Sequence, residues 1–153
     1  MAVSVTMVAQ QTADMNKYLN KDAVPVVDGK VVFSDKVDML EGYSAEQVGA
    51  IATKWLEDLL AGFESPKNRI VLNKDNRIAA TGYAEVIFTD NAISLDRAFM
   101  NCVLIVNYSA NECSVSVERI KYDYNNSGKN EFYLAEDYIT YENAVNKKGT
   151  KLS

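Results

Sequence analysis

Residues 44–63 carry the strongest hydrophobic pattern in the chain. Val48, Ile51, Ala52, Trp55, Leu56, Leu59 and Phe63 recur at three- and four-residue spacing, which is one wide apolar face on a helix. Glu46, Lys54, Glu57 and Asp58 take the wet side. Ser44 and Gln47 stand at capping-box spacing, so a hydroxyl and an amide can satisfy two N–H groups of the first turn reciprocally. Pro66 prevents continuation. Trp55 lies on the apolar face and is expected to be buried, so that its truncation to Ala costs ~3–5 kcal/mol.

On either side of this helix the period falls to two. Val24-Pro25-Val26-Val27 is a short apolar run ended by the turn dipeptide Asp28-Gly29. Residues 31–39 follow as a strand with Val31, Phe33, Val37 and Met39 on one side, interrupted by Asp35. Residues 68–73 and 77–88 read as a hairpin joined through Lys74-Asp75-Asn76. Residues 99–108 contain the unbroken run Val103-Leu104-Ile105-Val106, the mark of a central strand buried on both faces. In residues 113–124, Cys113, Val115 and Val117 alternate, then the phase slips to Ile120, Tyr122 and Tyr124, which predicts a bulge near Glu118-Arg119. After the turn Asn125-Asn126-Ser127-Gly128, Leu134, Tyr138, Tyr141 and Val145 fall at helical spacing. Glu136 and Asp137 come early, Lys147 and Lys148 late, and Gly149 stands as a C-cap, which predicts a second helix.

The fold class is therefore α+β: an antiparallel twisted sheet with two helices on one face, in β-α-β-β-β-β-α order. Residues 24–147 form one domain, preceded by a leader and linker (1–23) and followed by a tail (148–153). With 153 residues, about 69% of the unfolded surface can be buried, enough for a core without staples.

Composition narrows the chemistry. The chain has no histidine and only two cysteines, so Ser-His-Asp and Cys-His sites, His-ligated zinc and Cys₄ sites are excluded. Carboxylates, Lys, Tyr and hard cations remain. The formal charge of −5, with no basic stripe, argues against a nucleic-acid partner. Lys147, Lys148 and Lys151, the densest basic group, read as charge complementing a helix end plus a solvated tail.

Met1 to Ala9 is apolar and uncharged, like the back half of a secretory signal, but lacks a basic n-region. We read it as a truncated export signal, placing the protein in the periplasm, cell envelope or medium. No run reaches the ~18 apolar residues of a membrane span. Cys102 and Cys113 flank the turn Ser109-Ala110-Asn111-Glu112. A hairpin there puts the sulfurs on the order of 20 Å apart, too far for a disulfide, so two free buried thiols are expected.

Candidate sites are few. Ser127-Gly128-Lys129 lacks the upstream glycine of a phosphate loop, where Asp123 stands. Asp35 with Asp38, Glu57 with Asp58, Asp90 with Asp96, and Glu136 with Asp137 are acid pairs that no pattern places in a cleft; solvation on a helix face or at a helix start explains Glu57 with Asp58 and Glu136 with Asp137. Glu85, Asp90 and Asp96 are the acids from which a carboxylate-based hydrolase or a calcium-dependent module would be built. The tyrosines are more suggestive: Tyr108, Tyr122, Tyr124, Tyr138 and Tyr141 either form a binding surface for sugar or protein, or fill the helix–sheet interface with their hydroxyls at its rim. No metal or cofactor site is expected.

Three segments carry a family resemblance: the run from Val24 through Asp28-Gly29 to Phe33, the Gly42-Tyr43-Ser44 lead into a Trp-containing helix, and the strand ending Ile120-Lys121-Tyr122-Asp123-Tyr124. Together they resemble an uncharacterised bacterial domain family with a TATA-box-binding-protein-like fold, found in exported proteins. The resemblance spans Val24 to Val145 and implies the same layout. It carries no established catalytic residues, and the fold name alone does not imply DNA binding. The expectation is a non-enzymatic module that binds a protein or glycan through an exposed sheet face, or an edge strand that could also serve a homodimer.

Overall fold

The structure, a computed structural model, describes residues 17, 19–39, 41–90, 95–126 and 128–150; the side chains of 88–90, 95, 96, 125 and 126 are outside that description. The expected leader signal and the loop between Asp90 and Asp96 lie outside the described residues, as do the side chains of those two acids.

A two-residue hairpin, β1 (Val26–Val27) and β2 (Lys30–Val31), opens the domain. Asp28 and Gly29 turn it with φ 50° and 75°, the primed geometry that matches strand twist. Then come β3 (Phe33–Asp38), helix α1 (Ala45–Ala61), β4 (Arg69–Lys74), β5 (Arg77–Asp90), β6 (Leu95–Tyr108), β7 (Glu112–Asn126) and β8 (Lys129–Leu134). Two one-turn helices close the order, α2 (Ala135–Tyr138) and α3 (Tyr141–Ala144). The main sheet is antiparallel, in the order β3-β7-β6-β5-β4, with β8 also pairing β7. One edge of β7 is thus shared: residues 112–117 pair β3 and residues 121–126 pair β8.

The bulge expected near Glu118-Arg119 is present. Asn101 pairs Lys121 and Val103 pairs Glu118, so Cys102 opposes both Arg119 and Ile120. Arg119 takes φ 53° to absorb the extra residue. The capping box of α1 is also formed: Gln47 N–H donates to Ser44 Oγ at 3.2 Å, and Ser44 N–H to Gln47 Oε1 at 2.8 Å. Both cysteines are free, Cys102 buried and Cys113 half-buried, with Cys113 opposite Tyr108. Burial pushes both thiols above their usual range.

Helices cover one side of the sheet. Ala52, Leu56 and Leu60 of α1 share a single core with Ile78 and Ala80, with Cys102, Leu104 and Val106, and with Ile120. Ala135 of α2 and Val31 join the same core at its other end. Among the described residues no helix lies on the opposite side.

Three expectations are corrected. Trp55 is not buried: it stays 45% exposed, and Ile51 and Phe63 are exposed beside it. The apolar face of α1 is wider than its contact, because only the Val48-Ala52-Leu56-Leu60 line with Gly49 turns inward. Second, residues 129–134, where the sequence pattern predicts no element before Leu134, form a strand, since Gly128 at φ 84° turns the chain back along β7. The predicted second helix is thereby shortened, and extended Thr140 divides it into α2 and α3. Third, Gly149 lies beyond α3, in a turn where its N–H donates to the Asn146 carbonyl.

Candidate functional site

Strand alternation decides which side chains face away from the helices. On β5 and β6 the core takes Ile78, Ala80, Cys102, Leu104 and Val106, so Tyr83, Glu85, Phe99 and Asn101 project from the opposite side. The cross-strand register assembles them into two adjacent rows spanning four strands. One row is Glu85, Phe99, Asp123, Phe132; the next is Tyr83, Asn101, Lys121, Leu134.

These rows are an aromatic platform set among charges and amides. Tyr83 and Phe99 stack with centroids 5.2 Å apart and planes within 8°. Lys67 sits over the Tyr83 ring at 4.0 Å, and Lys121 over Phe132 at 4.6 Å. Arg97 pairs with Glu85 at 2.8 Å. Asn101 Nδ2 donates to Asp123 Oδ2 at 2.9 Å. Asp123 Oδ1 is buried without a hydrogen bond, with Lys121 Nζ 4.0 Å away. Phe132 is 60% exposed. A cavity of about 240 Å³ at this end is lined by Phe99, Asp123, Tyr124, Asn130 and Phe132. The cations are interleaved with acids and rings instead of running as a basic stripe.

The platform is held by a side chain acting as a strand. β4 pairs β5 only as far as Thr81. Beyond it, Tyr83 N–H donates to Asn68 Oδ1, and Asn68 Nδ2 donates to the Tyr83 carbonyl at 2.9 Å. The carboxamide closes both backbone groups that β4 leaves open at Tyr83, whose ring stacks on Phe99.

The five tyrosines singled out by sequence do not form one surface, and none of their strand positions belongs to the uncovered face. Tyr108 packs at the N-terminal end of α1, where a Cβ on Gly49 would meet its ring at 2.6 Å. Tyr122 packs against the core and its phenol is pushed up by burial. Tyr124 and Tyr138 gather around Tyr133, at centroid distances of 6.5 and 4.4 Å; Tyr124 also reaches the small cavity. The Tyr133 hydroxyl donates to Glu131, which pushes its pKa up to about 12. Tyr141 lies in a larger cleft of about 600 Å³ between the β1–β2 hairpin and α2–α3, with Lys21 over its ring. Glu136, also lining that cleft, accepts a 2.6 Å hydrogen bond from Lys30, which holds its carboxyl below the usual range.

Of the acids considered for hydrolysis or calcium, Glu85 is tied to Arg97. Among the described residues, no three of His, Cys, Asp and Glu gather as a metal site. No described helix is long and apolar enough to cross a membrane. The residues missed by sequence reasoning are Phe99, Asn101, Lys121, Asp123 and Phe132. For Lys121 and Asp123, their alternation with Ile120, Tyr122 and Tyr124 was the available signal.

The family described as a domain of unknown function (DUF4468) with TBP-like fold matches residues 33–123. A crystal structure of a DUF4468 family protein from Bacteroides ovatus ATCC 8483 is 37% identical, covering 91% of this chain and 80% of that one, with a TM-score of 0.80. A TBP-like protein from Parabacteroides distasonis ATCC 8503 is 22% identical over 74% of this chain and 71% of its own, with a TM-score of 0.62, a likeness of fold. No curated protein matches this chain.

Proposed function

Because the chain belongs to the DUF4468 family of domains with a TBP-like fold, a name that assigns no chemistry, we propose its role from its own uncovered face: a non-enzymatic, glycan-binding module of the bacterial cell envelope or exterior. The observation carrying this reading is the pair of cross-strand rows in which Tyr83, Phe99 and Phe132 lie among Asn101, Asp123, Lys121 and Glu85. A sugar ring offers an apolar C–H face and an equatorial rim of hydroxyls. Flat aromatic rings suit the first, and adjacent carboxylates and carboxamides suit the second. A flat protein contact would instead favour a contiguous apolar centre with charges moved to its rim. The envelope setting is supported by the apolar, signal-like run Met1 to Ala9.

Immobilised oligosaccharide arrays test the reading, using the full chain beside Phe99→Ala and Asp123→Asn. Retention of a glycan class by the wild type, with at least a tenfold loss in either variant (about 1.4 kcal/mol), is expected. Equal retention by all three, or none by the wild type, overturns it. Fractionation of the producing bacterium tests the location.

A further inference from the structure

We propose a second docking surface, on the helix side of the sheet, where the free edge of β3 and the exposed shoulder of α1 take an extended segment of a partner protein with a lysine or arginine between apolar residues. It is independent of the glycan reading and lies on the other side of the sheet.

Sheet order supplies the edge. β3 has β7 on one side and no strand on the other among the described residues, and all six of its residues are exposed. Backbone phase identifies which groups point outward. Met39 N–H donates inward to the Asn111 carbonyl, and Val32 N–H donates outward to the Pro25 carbonyl. By alternation, Ser34, Lys36 and Asp38 direct their backbone groups to the free edge.

The same register builds an apolar trough beside that edge. Phe33, Asp35 and Val37 oppose Val117, Val115 and Cys113, which pack against the core and so lie on the helix side. On α1, Thr53 accepts from Asn73 of β4 at 3.1 Å, so that flank of the helix faces β4. Trp55 is about 200° further round, on the flank turned away from β4 and so toward the β3 edge of the sheet order, with Ile51 one turn before it. Phe33 is 37% exposed, Val37 58%, Ile51 48% and Trp55 45%. Single exposed apolar residues need no explanation, but a group flanking one trough is an interaction surface.

Charge selects the occupant. Asp35 sits between Phe33 and Val37 on the trough side, and no ion pair to it occurs among the described residues. Among the described residues its carboxylate accepts the edge N–H of Lys36 alone, at 2.8 Å. The neighbouring cation is engaged elsewhere, Lys36 with Glu112 at 2.9 Å, and Lys54 on α1 pairs with Asp58 at 2.8 Å. An incoming strand replaces Asp35 on the Lys36 N–H with its own carbonyl. Its cation then meets the released carboxylate, while its apolar neighbours cover Phe33, Val37 and Trp55.

Trp55 is the only tryptophan of the chain and reports occupancy directly. The full chain is titrated with a capped peptide alternating Val and Thr around a central Lys, and with its central-Glu counterpart. The Lys peptide is expected to move Trp55 emission saturably to shorter wavelength, with the Glu peptide about fivefold to tenfold weaker. Asp35→Asn, its fold checked by circular dichroism, should abolish that preference, whereas Phe99→Ala should leave binding unchanged. Absence of a saturable shift overturns the proposal and leaves Asp35 as a guard of a protected edge. So does an unchanged preference in Asp35→Asn. A shift with protein concentration alone, without peptide, overturns it in favour of a second copy as occupant.

Discussion

Two neighbouring residues of α1, Leu56 and Trp55, should respond to truncation in opposite order to their size. Leu56 is fully buried, in the core with Ile78, Ala80, Leu104 and Val106. Leu56→Ala removes three carbons at ~0.8 kcal/mol each, and the cavity left between sheet and helix raises the loss to about 3–4 kcal/mol. A buried tryptophan would lose ~3–5 kcal/mol. With 45% of Trp55 still in water, the transfer contribution is roughly halved, so Trp55→Ala should cost about 1–2 kcal/mol. Urea unfolding followed by far-ultraviolet circular dichroism measures both, since one variant lacks the fluorophore. Unchanged m-values are required for the midpoints to be read as stability. A Trp55→Ala loss equal to or above that of Leu56→Ala would refute the phase assigned to α1, and with it the trough beside β3.

Further outcomes follow from the same geometry. Gly82→Ala puts a Cβ at 2.7 Å from Cys102 Sγ and 2.8 Å from Leu104 Cδ1, so thermal unfolding should show a loss of ~1–3 kcal/mol. Arg119→Gly relieves a left-handed residue at the bulge and should stabilise by about 0.5–1 kcal/mol in the same assay; a loss would mean that the Arg119 side chain, not its backbone, holds the bend. Tyr133, raised to about 12 by its hydrogen bond to Glu131, contributes stability fully present below the unfolded phenol value near 10 and lost as pH rises through about 12. Spectrophotometric titration should find a late-ionising tyrosine that Glu131→Gln returns toward the ordinary range.

The sequence carried the α1 cap, the hairpin turns and the bulge because each is written in neighbouring residues: Ser44 with Gln47, Asp28 with Gly29, and the phase slip after Val117. It also carried the class and sheet, since short connections force antiparallel neighbours. Less legible was the strand at residues 129–134, whose alternation of Phe132 with Tyr133 places an aromatic on both faces and hides the period. Tyr138 and Tyr141 read as one helix because nothing in Ile139-Thr140 resembles a breaker; Thr140 turns extended and its hydroxyl donates to the Glu136 carbonyl at 3.2 Å. The uncovered rows escaped notice for a different reason. Val103-Leu104-Ile105-Val106 reads as buried on both faces, and Leu104, Ile105 and Val106 are indeed buried. That run gives no sign that Phe99 and Asn101, earlier on the strand, turn outward, and no local pattern says that Asp123 stands between Phe99 and Phe132.

Amide-resolved NMR during titration with the oligosaccharide selected on the array tests the central claim most directly. Saturable shifts should concentrate at Tyr83, Phe99, Asn101, Lys121, Asp123 and Phe132, leaving Ile51, Trp55 and Val37 unmoved. Shifts confined to α1, or to the cleft around Tyr141, would contradict the assignment of sugar recognition to the helix-free side of the sheet.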